Sequence, residues 1–514
     1  MLAVDMVRRG AQRYRDRTAL VVGERELSFR DVDVMANRIA NVLLGLGCGR
    51  GTRVGLLVNN GLWSVPLDFG CLKAGVARVP LNARLSVSEH AKMLADTEVG
   101  LLVHDGDLSE RALALADELD GLRLACLGPA DRAQDIDLTA ECERADATDP
   151  LVPLAPEDVM LLLYTSGTTG TLKAVQHTQA SYAAIATNIL ANLISPGRDD
   201  AMLHAASLMH ASGTFLLPYW MRGARSVVLP GFEPQSYVQA IEHHRVTAVN
   251  LVPTMLGMLL SGDALDGADT SSLDTIIYGA SPMPRPMLEQ GLERFGPKFV
   301  QYYGQTEAPL CQTVLDKADH AEGGALLSSC GHPAVDAEIR IADEDDHPVP
   351  PGEIGEIQVR APFTMAGYHN APERNHETMA ADGWIRTRDM ARADERGYLY
   401  LVDRASDMIV TGGYNVYPRE VEDALGAHPA VAECAVVSAP DATWVEAVTA
   451  FTAFRPGESA STEELQATVR ERLAGYKVPK RIHVVESIPK SPVGKILRRA
   501  LRDPLWTDDA GEHR

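Results

Sequence analysis

Two periods of apolar residues alternate along the first part of the chain. Residues 29–46 carry them at helical spacing, and residues 53–58 form a short apolar run closed by Asn59-Asn60-Gly61. Residues 66–74 are again helical, 76–80 predict a strand, and 88–97 predict a helix leading into a strand at 99–104. The acidic, poorly periodic stretch 131–158 reads as a connection into the apolar run 159–163, which is short enough for a buried strand. Beyond it, 178–194 predicts a helix, and strands are expected at 201–207, 227–229, 248–252, 275–278 and 298–303 with helices between them. Such alternation predicts an α/β protein whose mostly parallel sheets are layered with helices. Ligands bind at the carboxyl ends of strands in such sheets. The loops after Leu163, Ser207, Tyr278 and Tyr303 are therefore expected to converge on one crevice.

From Ala337 the pattern changes. Residues 338–341 and 356–360 around a Pro/Gly turn read as an antiparallel hairpin, and 398–402 as a further strand, which together predict a β-rich subdomain. A compact α+β segment follows, with helices near 420–427 and 463–473 and strands near 432–437 and 448–454. The expected organisation is a large domain over 1–402, a link at 403–406 and a small α+β domain over 407–514.

Composition narrows the chemistry. With 514 residues and 46% hydrophobic residues the chain has room for a large core, and a net charge of −22 argues against nucleic acid as a partner. A site for a polyphosphate must then be locally basic against the overall field. No segment reads as a signal peptide or membrane span. Seven scattered cysteines without a Cys-x-x-Cys pair suit reduced thiols, so a cytoplasmic location is expected and no metal-ligand cluster is evident.

The apolar run 159–163 leads into Tyr164-Thr165-Ser166-Gly167-Thr168-Thr169-Gly170-Thr171-Leu172-Lys173. Gly167 and Gly170 free the backbone to turn N–H groups toward one point, the hydroxyls add donors, and Lys173 adds a compact charge. A strand-to-helix turn would share the Gly and hydroxyl content, but the hydroxyl density and the terminal lysine favour polyphosphate. The spacing is not that of a Walker loop. A second cluster, Tyr302-Tyr303-Gly304-Gln305-Thr306-Glu307, places an aromatic ring, a hydroxyl and a carboxylate together. Those groups suit a base, a phosphate and Mg²⁺. His210, beside the small residues Ala211, Ser212 and Gly213, would alone pass for a structural histidine.

Residues 164–175 resemble the phosphate loop of the adenylate-forming superfamily, which includes acyl-CoA ligases, peptide-synthetase adenylation domains and luciferases. The resemblance extends over nearly the whole chain and in the family's motif order. It implies that Thr165, Ser166, Gly167, Thr168, Thr169, Gly170 and Lys173 bind ATP phosphates, with Gly279, Ala280, Ser281 and Gly304 also at the nucleotide. Tyr303 would face adenine, Thr306 the α-phosphate and Glu307 the metal, while Asp389 and Arg404 would bond the ribose. His210 would close an acyl pocket lined by Ala211, Ser212, Gly213, Ala280 and Gly304. Lys495, in Pro489-Lys-Ser-Pro-Val-Gly-Lys495, matches the family's catalytic lysine. Gly412 and Gly413 would let a pantetheine arm pass, and Trp444 either packs against CoA or fills a core position. The small domain would be mobile, turning about Ser406 between two half-reactions.

The implied activity is an acid–thiol ligase of the AMP-forming type. It would take a hydrophobic or aromatic carboxylic acid, ATP, Mg²⁺ and CoA through an acyl-adenylate, and the chain is compatible with a homodimer. Three positions depart from the family pattern: Leu172-Lys173-Ala174 replaces Pro-Lys-Gly, Arg388 replaces a glycine beside Asp389, and Ser406 stands where Asp or Lys is usual. A Cβ at Ala174 is expected to crowd the approach to ATP. An alternative is therefore an enzyme that only converts a preformed acyl-adenylate to the thioester. A further alternative loads a carrier-protein phosphopantetheine. A non-enzymatic acyl-nucleotide binder is expected to lack Lys495 and Glu307, and both are present.

Overall fold

The computed structural model describes residues 1–166, 172–281, 283–404, 407–411, 414–441, 444–490 and 495–508. Gly167, Thr168, Thr169, Gly170, Ser406, Gly412 and Gly413 lie outside the described residues, as do the side chains of Ser166 and Arg404.

Among the described residues the strands form four sheets. In the nine-stranded sheet, Thr18–Val22, Arg225–Val228, Ala201–His204, Ala248–Leu251, Thr275–Tyr278 and Phe299–Tyr303 run parallel, with antiparallel strands at both edges. The eight-stranded sheet joins Arg53–Leu57, Ala77–Pro80, Leu101–Asp105, Arg123–Leu127, Ile136–Asp137 and Val159–Ser166 in parallel. The antiparallel strands Leu172–Thr178 and Gly367–Tyr368 complete it. A four-stranded antiparallel sheet spans Glu338–Ala342, Gly355–Arg360, Ile385–Ala393 and Leu399–Arg404. The last sheet pairs Val431–Asp441 with Val445–Phe454 and adds Ile409–Thr411, Tyr414–Val416 and Arg481–Val484.

Local sequence explains the helices that separate the two large sheets. Phe29–Gly45 starts at Ser28, whose Oγ accepts from Asp31 N while the Asp31 carboxylate accepts from Ser28 N at 2.9 Å. Its buried residues Phe29, Val32, Ala36, Ile39, Ala40 and Leu43 recur at helical spacing. One apolar cluster then links both sheets: Met160 and Val175 on one side, Met202 and Ile277 on the other, and Phe29, Phe69 and Trp220 between them. Phe29 and Trp220 have ring centroids 4.4 Å apart, Phe69 and Trp220 4.8 Å.

Several segments differ from the sequence reading, among them the following. The stretch taken as a connection contains Ile136–Asp137 and the helix Leu138–Arg144, started by the Asp137 carboxylate accepting from Ala140 N at 2.8 Å. An amphipathic helix, Ala3–Tyr14, precedes the first strand. The stretch after the Gly/Thr-rich loop, for which the sequence predicts no element, is a strand: Leu172–Thr178 returns along Val159–Ser166 before Thr178 caps the next helix. Leu172–Thr178 has no continuous apolar run, so its strand character depends on that pairing.

Candidate functional site

The strand ends converge as the sheet order requires. One cleft is lined by Thr165 and Lys173, by His210 and Ala211, by Gly279, Ala280 and Ser281, and by Tyr303, Gly304, Thr306 and Glu307. Asp389 and Lys495 line it too.

On one side a polar network is built around Asp389. The Tyr303 hydroxyl donates to Asp389 Oδ2 at 2.7 Å, and Gln305 Nε2 donates to the same oxygen at 2.5 Å and to Thr387 O at 2.7 Å. Burial, reinforced by the Asp389 carboxylate, pushes the Tyr303 hydroxyl well above its usual pKa, so it stays a donor. Asp389 and Arg404 are direct partners across adjacent strands. Arg388, between Thr387 and Asp389, holds φ +62°. This left-handed conformation costs a side-chain-bearing residue about 1 kcal/mol and suits glycine better. The Arg388 N–H donates to Glu356 Oε1 at 2.7 Å and its guanidinium to Glu377 O at 3.0 Å, which offsets part of that cost.

Beside it lies a charged group. The Tyr368 hydroxyl donates to Glu307 Oε1 at 2.7 Å, and Lys173 Nζ stands 5.2 Å from the Tyr368 ring centroid. Burial and then the nearby Arg374 lower the Lys173 pKa, while Glu307 opposes them. Three cations, Lys173, Arg374 and Arg388, here face two carboxylates, Glu307 and Glu377, which leaves this end of the cleft weakly basic within an acidic protein. Behind Thr306, His177 is buried and its pKa is lowered to about 4 by desolvation. A neutral ring must carry its proton on Nε2 to donate to Thr306 O, 2.8 Å away. Among the described residues no group of three or more His, Cys, Asp or Glu side chains could enclose a metal. A single carboxylate, Glu307, nevertheless fits Mg²⁺, which keeps most of its shell as water and substrate phosphate.

The third part of the cleft is shaped by packing. His210 is lowered in pKa by burial, and its Nε2 has no hydrogen-bond partner among the described residues. Ser212 and Gly213 are not in the cleft wall. Ser212 is buried with its Oγ 3.0 Å from His204 Nδ1, and a Cβ on Gly213 would meet Leu208 O at 1.9 Å. They shape the turn that presents His210. Gly304 does line the cleft, and its close approach has the same cause, since a Cβ there would meet Leu310 O at 2.1 Å. Ala280 takes φ +65° at the cleft edge.

Ala174 turns its methyl away from the cleft. It is 1% exposed in an apolar cluster with Val79 and Leu162. The crowding expected of it does not occur, because alternation along the strand sends Lys173 to the cleft and Ala174 to the core. Trp444 is half-buried outside the cleft wall, with Lys480 Nζ 4.8 Å from its ring centroid. Lys495 is exposed on the C-terminal side of the cleft. Sequence reasoning passed over His177, Gln305, Tyr368 and Arg374. Gln305 sat inside a motif already singled out, whereas the other three look like ordinary strand, turn and helix residues.

Comparisons agree with this geometry. Residues 7–369 match the family described as AMP-binding enzyme, and residues 420–495 the AMP-binding enzyme C-terminal domain. The chain is 39% identical to the medium/long-chain-fatty-acid–CoA ligase FadD8 of Mycobacterium tuberculosis, over 96% of this chain and 88% of that protein. It is 37% identical to a feruloyl-CoA synthase of an Amycolatopsis species, over 94% of this chain and 95% of that protein. The solved amide bond synthetase McbA from Marinactinospora thermotolerans superposes with a TM-score of 0.90 at 30% identity, covering 98% of this chain and 99% of that one.

Proposed function

The chain belongs to the AMP-binding enzyme family, in its AMP-forming acyl-CoA ligase branch, and from that premise we propose that it converts a hydrophobic or aromatic carboxylic acid to its CoA thioester through an acyl-adenylate. The observation that supports this reading is the union in one cleft of the Lys173–Arg374–Glu307 group, the Tyr303–Asp389 network, the lining residues Leu208, Met209 and Ala211 beside His210, and Lys495.

Each residue has a role in that reading. Tyr303 stacks on adenine, and Asp389, held by Tyr303 and Gln305, accepts from the ribose with Arg404 beside it. Thr165 and Lys173, with the loop that follows Thr165, hold the phosphates. Glu307, oriented by the Tyr368 hydroxyl, would hold Mg²⁺, and the ion would supply neutralisation of charge between the two reacting anions. The substrate carboxylate attacks the α-phosphate, and pyrophosphate leaves. Catalysis of that step is mainly positioning and charge neutralisation, to which Lys495 contributes at the transferring phosphoryl group. A thiol then attacks the acyl carbon and AMP leaves. Because a thiol has a pKa of about 8.5, no strong protein base is required. Rotation about residues 403–406 exchanges Lys495 for the Gly412-Gly413 segment between the halves.

The alternative, thioesterification of a preformed adenylate alone, rested on Leu172, Ala174 and Arg388. Its support is weakened because the Ala174 methyl lies in the core and Arg388 keeps the backbone turn beside Asp389. The deciding experiment measures pyrophosphate release from ATP with a panel of carboxylic acids, beside thioester formation from synthetic acyl-adenylates and CoA. Activity in both is expected. Thioester formation without pyrophosphate release, for an acid whose adenylate is accepted, would overturn the complete reaction. Transfer only to a carrier-protein pantetheine would overturn CoA as acceptor.

A further inference from the structure

A buried histidine that no step of the reaction uses joins two parts of the cleft wall. His177 is 1% exposed and lies on the strand Leu172–Thr178, four residues after Lys173. Alternation puts both on one face, about 13 Å apart along the strand. Lys173 lines the cleft, as do Thr306 and Glu307. His177 meets the turn that carries those two across 129 positions, with Nε2 2.8 Å from Thr306 O.

That turn is gripped at two successive carbonyls. His177 holds Thr306 O, and Met365 N–H donates to Glu307 O at 2.8 Å. Gln305 and Ala308 close the turn on itself, each N–H donating to the other's carbonyl, at 3.1 and 3.2 Å. The Met365 segment is itself fastened to the His177 strand. Ala366 N–H donates to Gln176 O at 2.9 Å, and Gly367–Tyr368 pairs with Gln176 and Val175. One strand therefore carries Lys173 directly and the turn through His177 and a paired neighbour. The donor is fixed as well. Burial keeps the imidazole neutral, with one N–H, and its Nδ1 lies 3.4 Å from the Ser181 hydroxyl, which can donate to it. The ring proton then belongs on Nε2, facing Thr306 O.

We propose that His177 is a positioning residue for the adenylation step, holding the Thr306 hydroxyl and the Glu307 carboxylate at a set span from Lys173. All three groups would address one triphosphate and its metal, where a misplacement of about 1 Å can cost about a hundredfold in rate. This inference rests on the ligase reading and adds to it a residue that touches neither substrate nor metal.

The test uses three variants of the full chain. His177→Gln keeps an N–H at about the reach of Nε2, His177→Asn keeps one too short to reach Thr306 O, and His177→Leu fills the space without a donor. With an acid that the wild type accepts, the kcat of pyrophosphate release is expected to fall roughly tenfold to a hundredfold in His177→Leu and His177→Asn. The KM for the acid should change less than about threefold. His177→Gln should recover to within about fivefold of the wild type. Calorimetric affinity for α,β-methylene-ATP with Mg²⁺ should follow the same order, with thermal melting reporting that each variant is folded. An unchanged rate in a folded His177→Leu, a loss confined to the KM for the acid, or His177→Gln no better than His177→Asn overturns the proposal. If His177→Leu does not fold, the two amide variants decide. If the wild type turns over no acid, the ligase reading fails on its own, and the calorimetric order decides His177. Equal affinities in all four proteins, or no binding by the wild type, overturn it.

Discussion

The two ends of the cleft are held by different physics. At the end proposed to take the nucleotide, discrete hydrogen bonds between named atoms fix Tyr303, Gln305 and Asp389, and Tyr368 fixes Glu307. At the His210 end, proposed to take the acid, the wall is shaped by how closely backbones approach, as at Gly213 and Gly304. In the proposed reaction Lys495 and Glu307 act on a developing charge, so their loss is felt directly in rate. The second end is a shape, and single changes there redistribute preference among acids more than they abolish turnover.

The sharpest break of that contrast is Lys495→Ala. Pyrophosphate release should fall about a hundredfold to a thousandfold, while thioester formation from a supplied acyl-adenylate changes less than about threefold. Equal losses in both assays would place Lys495 outside the first half-reaction. Next in size, Tyr368→Phe removes the hydroxyl that donates to Glu307. It should lower pyrophosphate release by roughly tenfold to a hundredfold and raise the Mg²⁺ needed for half-maximal rate, so an unchanged Mg²⁺ titration would sink this positioning role.

A third prediction lies outside both ends. Asp149 accepts from Arg8 at 3.1 Å, Lys73 at 3.0 Å and Leu151 N at 2.9 Å, and Lys73 is 1% exposed. Burial alone would raise its pKa, but these partners prevail and hold the carboxyl down at about 2. The sign follows from the lowered native value: this stabilisation is present above about pH 4 and is lost as pH falls toward 2. It amounts to about 2 kcal/mol. Denaturant melts between pH 5 and 2 should show that loss in the wild type and a flatter profile in Asp149→Asn, itself less stable at neutral pH. Parallel profiles would refute the assignment.

The acyl end supplies a smaller effect. Gly213→Ala forces a Cβ toward Leu208 O, which should move the turn carrying His210 and change the ranking of acids by about tenfold, with a smaller change in the KM for ATP. Equal changes in both would show that the two ends are coupled. Smallest of all, Arg388→Gly relieves the left-handed strain at φ +62° while losing contacts to Glu356 and Glu377. A stability gain of at most about 1 kcal/mol is expected in denaturant midpoints.

The sequence alone determined the architecture and most of the nucleotide end. Strands such as Thr275–Tyr278 and helices such as Phe29–Gly45 announce themselves through local periodicity. Thr165, Lys173, Tyr303, Thr306 and Glu307 fall in short contiguous segments, because a strand end and the residues beside it present neighbouring groups to one crevice. Tertiary structure decided what local pattern does not encode. The strand Leu172–Thr178 exists through its pairing with Val159–Ser166, and that pairing sends the Ala174 methyl to the core rather than toward ATP. His177 meets Thr306 across 129 positions, and Tyr368 meets Glu307 across 61. Arg78 looks like one more charge among apolar residues until the sheet buries it beside Leu161, ion-paired with Asp68. Periodicity records which face of an element is buried; which distant groups share that burial is set only when the sheets and helices close around the cleft.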